Sequence, residues 1–219
     1  NFVPIELADN AARTGKPAVL GMYLLLSTES GETLAILDAT RLTVLRTAGA
    51  SALAARYLAR EDASDMVMVG AGQLAPYLIR AHASVRPIKR VKIWNRTIAN
   101  AEAVVRVFAG SGIDVQAVDD LEAACRTADL ISAATLSTVP LIKGAWLKPG
   151  VHVDTVGAFT KTMRETDDEL VRRAHIFVDT YAGAMGEAGD LLQPMNAGVI
   201  GKDALRADLF ELVRGTKKG

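Results

Sequence analysis

Met66-Val67-Met68-Val69 is a continuous apolar run that ends in Gly70-Ala71-Gly72-Gln73-Leu74-Ala75, after which a helical pattern begins. No other stretch restricts the fold as much. A buried strand, a turn of small residues and a helix, in that order, open a parallel dinucleotide-binding sheet. Gly70 permits the tight turn. Gly72 has no Cβ, so a pyrophosphate can approach the backbone, and Ala75 keeps the new helix close to its strand. The segment Gly70 to Leu74, with Ala71 and Gln73 between, then directs unpaired N–H groups and the positive end of the helix at phosphates.

The second strand bears on which dinucleotide. Val91-Lys92-Ile93-Trp94 is apolar enough for a strand and ends in Asn95-Arg96-Thr97. A site that prefers NAD carries Asp or Glu roughly twenty residues beyond the glycines, where it accepts from the ribose 2′-OH. This chain has no carboxylate there. Asn95 can bond without repelling a 2′-phosphate, and Arg96 offers a planar cation that can fork onto it. These residues predict NADP (NADPH) over NAD. Locally they also read as a turn at Asn95 with Thr97 capping a helix that begins at Ile98, and both roles are compatible.

Strands and helices alternate from Met66 onward. Strand candidates are Met66–Val69, Val91–Trp94, Val115–Val118, Leu130–Ala134, His152–Val156 and Ile176–Val178. Ala101, Val104, Val105 and Phe108 fall at helical spacing, and Asp119 or Asp120 can cap the next helix. Such alternation implies an α/β fold, a Rossmann-type doubly wound parallel sheet with expected strand order 3-2-1-4-5-6. Before Met66 the pattern differs. Val19–Leu26 and Thr33–Leu37, joined through Glu29-Ser30-Gly31-Glu32, predict a hairpin, and a helical region runs from Asp38 to about Arg60. Its small-residue middle, Thr47 to Ala52, suits close packing. The polar stretch Arg60–Asp65 sets a domain boundary. The expected division is residues 1–63 as part of a second, α+β domain, 64–203 as the Rossmann domain, and 204–219 as a segment returning to the first.

Composition excludes several classes. Half of the 219 residues are apolar, and 25 basic side chains balance 25 acidic ones. That balance gives no footprint for nucleic acid or an anionic membrane, and the apolar stretches are too short to span a bilayer. The single cysteine, Cys125, excludes an internal disulfide framework and fits a reducing, cytoplasmic setting. It falls on the apolar side of a predicted helix and reads as buried and inert. His82, His152 and His175 have no metal-ligand spacing and read as structural, so no metal site is expected. A start at Asn1 without Met and an end at Lys217-Lys218-Gly219 read as a piece of a longer chain.

The run LTVLRTAGASALAA from Leu42 to Ala55, followed by VGAGQLA, WNRT, ADLISAAT, WLKPGVHVDTVGAF and EAGDLL, resembles the ornithine cyclodeaminase/mu-crystallin family along nearly the whole chain. The resemblance implies a dimerising, substrate-binding domain beside the dinucleotide domain, hence a homodimer acting on a small imino or amino acid. It also implies segments before Asn1, including a substrate-contacting lysine, and after Gly219. Members include cyclodeaminases, alanine dehydrogenases and reductases of cyclic ketimines.

Arg46 matches the family's substrate-carboxylate arginine. Taken alone it reads as a surface arginine paired with an acid such as Asp38. The family context makes it the anchor that fixes substrate against the nicotinamide, with Thr47 beside it. Thr135, at the end of the fourth strand, is expected near the nicotinamide ribose, and Val156 against the cofactor. Gly189-Asp190 reads equally as a turn, a helix cap or part of the pocket. Phe159 is the departure. Cyclodeaminases of the family carry an aspartate after the Val-Gly-x of the fifth strand, whereas this chain has Val156-Gly157-Ala158-Phe159. Phenylalanine cannot take a proton or orient an ammonium, but it can wall a small ring. Asp154 shares the Val156 face of its strand and is not expected to substitute. The combination predicts an NADPH-dependent oxidoreductase that reduces a cyclic imino acid, Δ1-pyrroline-2-carboxylate to L-proline or its six-membered analogue. The alternatives are a cyclodeaminase or alanine-type dehydrogenase, and a non-catalytic NADPH-dependent ligand-binding protein.

Overall fold

A computed structural model describes residues 20–219. They fall into two compact units that divide between Thr47 and Ala48. In the first, β1 (Met22–Leu26) and β2 (Thr33–Asp38) pair antiparallel, Met22 opposite Asp38, as the hairpin pattern predicts. Val19, the first residue of the predicted hairpin, lies outside the described residues. Gly31 closes the turn at φ +75°, in the left-handed region that glycine enters without strain. Asp38 then caps α1 (Ala39–Leu58), its Oδ1 accepting from the Thr40 and Arg41 amides. Both faces of the hairpin carry exposed apolar side chains, Met22, Leu24, Leu34 and Ile36 on one and Tyr23, Leu25 and Leu37 on the other.

The second unit is built on a parallel sheet of β3 (Asp65–Val69), β4 (Arg90–Trp94), β5 (Asp114–Val118), β6 (Leu130–Ala133) and β7 (His152–Thr155). Its hydrogen-bonded order is β5-β4-β3-β6-β7, which is 3-2-1-4-5 counted from β3. The expected sixth neighbour does not join. β8 (Ile176–Val178) instead pairs in parallel with β9 (Leu205–Asp208), in a separate two-stranded sheet. A three-residue strand has few ladder groups, and the later β9, absent from the sequence-based strand candidates, supplies its edge.

Strand alternation explains why β3 is apolar from Met66 to Val69. Met66 and Met68 join a core with Leu78 and Ile79 of α2 (Ala75–Val85) and with Ala101 and Val104 of α3 (Ile98–Val107). Val67 and Val69 face the other way, onto Leu121, Ala124 and Cys125 of α4 (Leu121–Thr127). Each face is covered, so period-two polarity is lost. Ala48, from the small-residue stretch Thr47 to Ala52, packs into the first of these cores together with Ala55 of α1 and Ala59 just past its end, whereas Gly49 is exposed. Asp120 rather than Asp119 caps α4, accepting from Ala123 N–H at 2.9 Å. Cys125 is fully buried and its thiol is pushed up to about 12 by that burial, so it is inert.

Candidate active site

The candidate site lies at the carboxyl ends of the sheet strands. Gly70 follows β3 at φ +103°, and a Cβ there would lie 2.7 Å from the Ala134 carbonyl oxygen. Glycine is therefore required twice, by conformation and by close approach. Gly70 N–H donates to the Trp94 carbonyl at 2.8 Å and Ala71 N–H to Asn95 Oδ1 at 3.2 Å, which ties the turn to the end of β4. Gly72 has open space around its missing Cβ. The amides of Gly72, Gln73 and Leu74 have no acceptor among the described residues. Three free N–H groups at the start of α2 suit a pyrophosphate. Ala75 is buried, which keeps α2 close to the sheet.

Asn95, Arg96 and Thr97 stand at the end of β4. Asn95 is more committed than its sequence suggests, because Nδ2 also donates to the Thr97 carbonyl at 2.9 Å. Arg96 is exposed and forms no ion pair among the described residues. Thr97 occupies the cap position of α3, yet its hydroxyl makes no capping bond, contrary to the local expectation. Thr97 meets the helix with extended backbone, and Asn95 Nδ2 holds its carbonyl.

Thr135 follows β6, and Val156 to Phe159 follow β7. A buried carboxylate joins these two turns. Glu165 Oε1 accepts from both the amide and the hydroxyl of Thr135 at 2.7 Å, and Oε2 accepts from Gly157 N–H at 2.8 Å. Burial pushes the Glu165 carboxyl up to about 7, against the pull of those three donors. Asp190 holds Glu165 in turn. It sits in the first turn of α5 (Gly189–Asn196), but its Oδ1 accepts from the Glu165 amide, the Thr166 amide and the Thr166 hydroxyl. It is a strut and does not cap its helix. Glu165 escapes a local sequence reading because its partners lie eight and thirty residues away. Val156 packs against the core beneath the turn, and Phe159 is partly exposed at its tip, 37% accessible.

Asp154 does not take the place of the missing aspartate. Burial raises its carboxyl, but His82 Nε2 at 3.3 Å and Ser132 Oγ at 2.8 Å hold it below the ordinary range. His152 is pushed down to about 4, first by burial. His82 and His152 thus belong to a buried polar cluster under the sheet. His175 is exposed.

Arg46 and Thr47 lie on α1 in the first unit. Arg46 is exposed and does not pair with Asp38, whose carboxylate caps the helix instead.

A parallel sheet that changes direction between β3 and β6, with a glycine turn opening α2 at that point, defines a dinucleotide-binding α/β protein. The chain belongs to the ornithine cyclodeaminase/mu-crystallin family, which matches it over residues 5–219. It is 42% identical over 206 residues to the Δ1-pyrroline-2-carboxylate reductase of Paracoccus denitrificans, covering 94% of this chain and 65% of that protein. It is 34% identical over 213 residues to the ketimine reductase mu-crystallin of Mus musculus, covering 97% of this chain and 65% of that protein. Among solved structures, the Δ1-pyrroline-2-carboxylate reductase of Thermococcus litoralis in complex with NADH and L-proline superposes with TM-score 0.93 at 34% identity. That match covers 96% of this chain and 65% of the other. The chain thus spans just under two thirds of the length of these relatives.

Proposed function

We propose that the complete protein reduces a small cyclic imino acid, Δ1-pyrroline-2-carboxylate in the first instance, to the corresponding L-amino acid with NADPH. The observation that carries this reading is the turn after β7. Phe159 stands where cyclodeamination needs a carboxylate, and the nearest acid on the same strand, Asp154, is buried and bonded elsewhere. A preformed C=N bond needs placement and a hydride source more than a carboxylate base. The likeness to relatives named Δ1-pyrroline-2-carboxylate reductase supports the same choice.

The free amides of Gly72, Gln73 and Leu74 would hold the pyrophosphate, and the open space at Gly72 fits it. When bound, the cofactor supplies the hydride. Thr135 and Val156 would border its nicotinamide half, Phe159 would wall the substrate ring against water, and Arg46 with Thr47 would hold the carboxylate. Residues 64–203 form the cofactor domain in this reading, 1–63 the substrate-binding and dimer-forming part, and 204–219 the start of a return to it. The exposed apolar hairpin of β1 and β2 supports a homodimer. The one, buried, thiol supports a cytoplasmic setting.

NADPH over NADH rests on the absence of a carboxylate at Asn95 and on the unpaired guanidinium of Arg96. Arg96→Asp is expected to lower the NADPH:NADH preference in kcat/KM by at least about tenfold, since a favourable charge pair becomes a repulsive one. Unchanged preference would remove Arg96 from the 2′-phosphate site.

The activity is tested by following NADPH absorbance in the complete protein with Δ1-pyrroline-2-carboxylate and its six-membered analogue, with ornithine assayed in parallel for ammonia. Cofactor oxidation without ammonia release is expected. Ammonia from ornithine would replace this reading with cyclodeamination.

A further inference from the structure

Glu165 is an acid for which the chemistry above has no use, yet it is fully shielded from solvent and both its oxygens are bonded. Its three donors come from the turns that follow β6 and β7. In this fold class the end of the strand next to the glycine turn meets the adenosine ribose, which here is β4. The nicotinamide half then falls to the other side of the switch point, over β6 and β7. Convergent N–H and O–H donors favour an anion at Glu165, while burial opposes one and leaves the carboxyl near 7. Asp190, from α5, raises it further, and Thr135 and Gly157 bring no charge. Arg164, on the same loop, is paired with Asp168.

We propose that Glu165 is a positioning residue whose buried charge favours the oxidised, cationic nicotinamide ring over the reduced, neutral one. The inference rests on the reading that this chain binds a nicotinamide dinucleotide. The two forms of that molecule share their phosphates, riboses and adenine and differ by one positive charge on the ring. A fixed anion beneath the ring acts on that difference alone, and low surrounding polarity strengthens it. Glu165 acts through its field and through the turns it clamps, without touching reacting atoms.

The test is direct titration of NADP+ and NADPH into the full chain by quenching of tryptophan fluorescence at pH 8, where the carboxyl is ionised. Three proteins are compared: wild type, Glu165→Gln and Glu165→Asp. Glu165→Gln should raise the ratio of the NADP+ Kd to the NADPH Kd by about three- to tenfold, the size of a single charge at moderate effective dielectric. Glu165→Asp keeps the charge but shortens the clamp, so it should weaken both forms and leave their ratio within about twofold. Equal weakening of both forms by Glu165→Gln, or no change, overturns the proposal and leaves a structural clamp. A wild-type chain that binds neither form overturns the dinucleotide reading itself, a different and recognisable failure. Should Glu165→Gln not fold, calorimetry of the wild type near pH 7 in two buffers of different ionisation heat decides. NADP+ binding must then release more protons than NADPH binding, and equal release overturns the proposal.

Discussion

Gly157→Ala is expected to lower the unfolding free energy by about 3 kcal/mol, a severe effect for a single methyl group. The added Cβ would lie 2.2 Å from the Thr135 carbonyl oxygen, 2.4 Å from Glu165 Oε1 and 2.5 Å from the Thr135 amide nitrogen. Two of those atoms are backbone and the third is locked by two other donors, so none can step aside cheaply. Relief requires parting the turns after β6 and β7, which would strand the buried Glu165 carboxylate without Gly157 N–H. Urea denaturation of wild type and variant measures the effect. A variant with an unchanged midpoint would mean that these turns are not held together as described. Dinucleotide binding should be weakened in the same variant, because the two turns edge the crevice.

The second large effect is expected at Arg46. In the complete protein, Arg46→Ala should lower kcat/KM for Δ1-pyrroline-2-carboxylate by about a hundred- to a thousandfold, the cost of losing a bidentate charge pair to a carboxylate. Both KM and kcat should suffer, since in the proposed reaction the same contact would bind the substrate and fix the imine carbon. Titration of NADPH alone should be unaffected, which separates this change from damage to the cofactor domain. Near-normal kinetics would mean that another group holds the carboxylate. The structure removes one competing role, because Asp38 is engaged as the cap of α1 and forms no pair with Arg46.

Much of the fold is legible in the sequence because its signals are local. The strand–turn–helix at Met66 to Ala75, the helical spacing of Ala101, Val104 and Phe108, and the hairpin before α1 each depend on residues close in the chain. Five strands of the main sheet follow from such local signals, whereas their order is an expectation of the fold class as a whole. The failures share a cause, which is distance along the chain. Ile176–Val178 reads as a sixth strand of the main sheet, yet its partner is decided by Leu205–Asp208, nearly thirty residues later. Asp190 reads equally as a turn, a cap or part of the pocket, and its choice is made by Glu165 and Thr166, to which its carboxylate reaches back across about 25 residues. Glu165 carries no local pattern, although it joins the two turns that edge the crevice. Thr97 shows the converse limit, for a favourable cap residue stands at the cap position without making the bond. Phe159 is informative for another reason. Its significance lies in what a family relative carries there, so the residue types alone identify an apolar turn and nothing more.

In the proposed reaction, hydride passes from a reduced dinucleotide to the carbon of a preformed imine. Incubating the complete protein with Δ1-pyrroline-2-carboxylate and NADPH carrying two deuterium atoms at the nicotinamide C4, then examining the product by mass spectrometry and NMR, tests it most directly. L-proline bearing one deuterium, at Cα, with no ammonia formed, is the expected product. Proline without deuterium, or no proline while the dinucleotide remains bound, would contradict it.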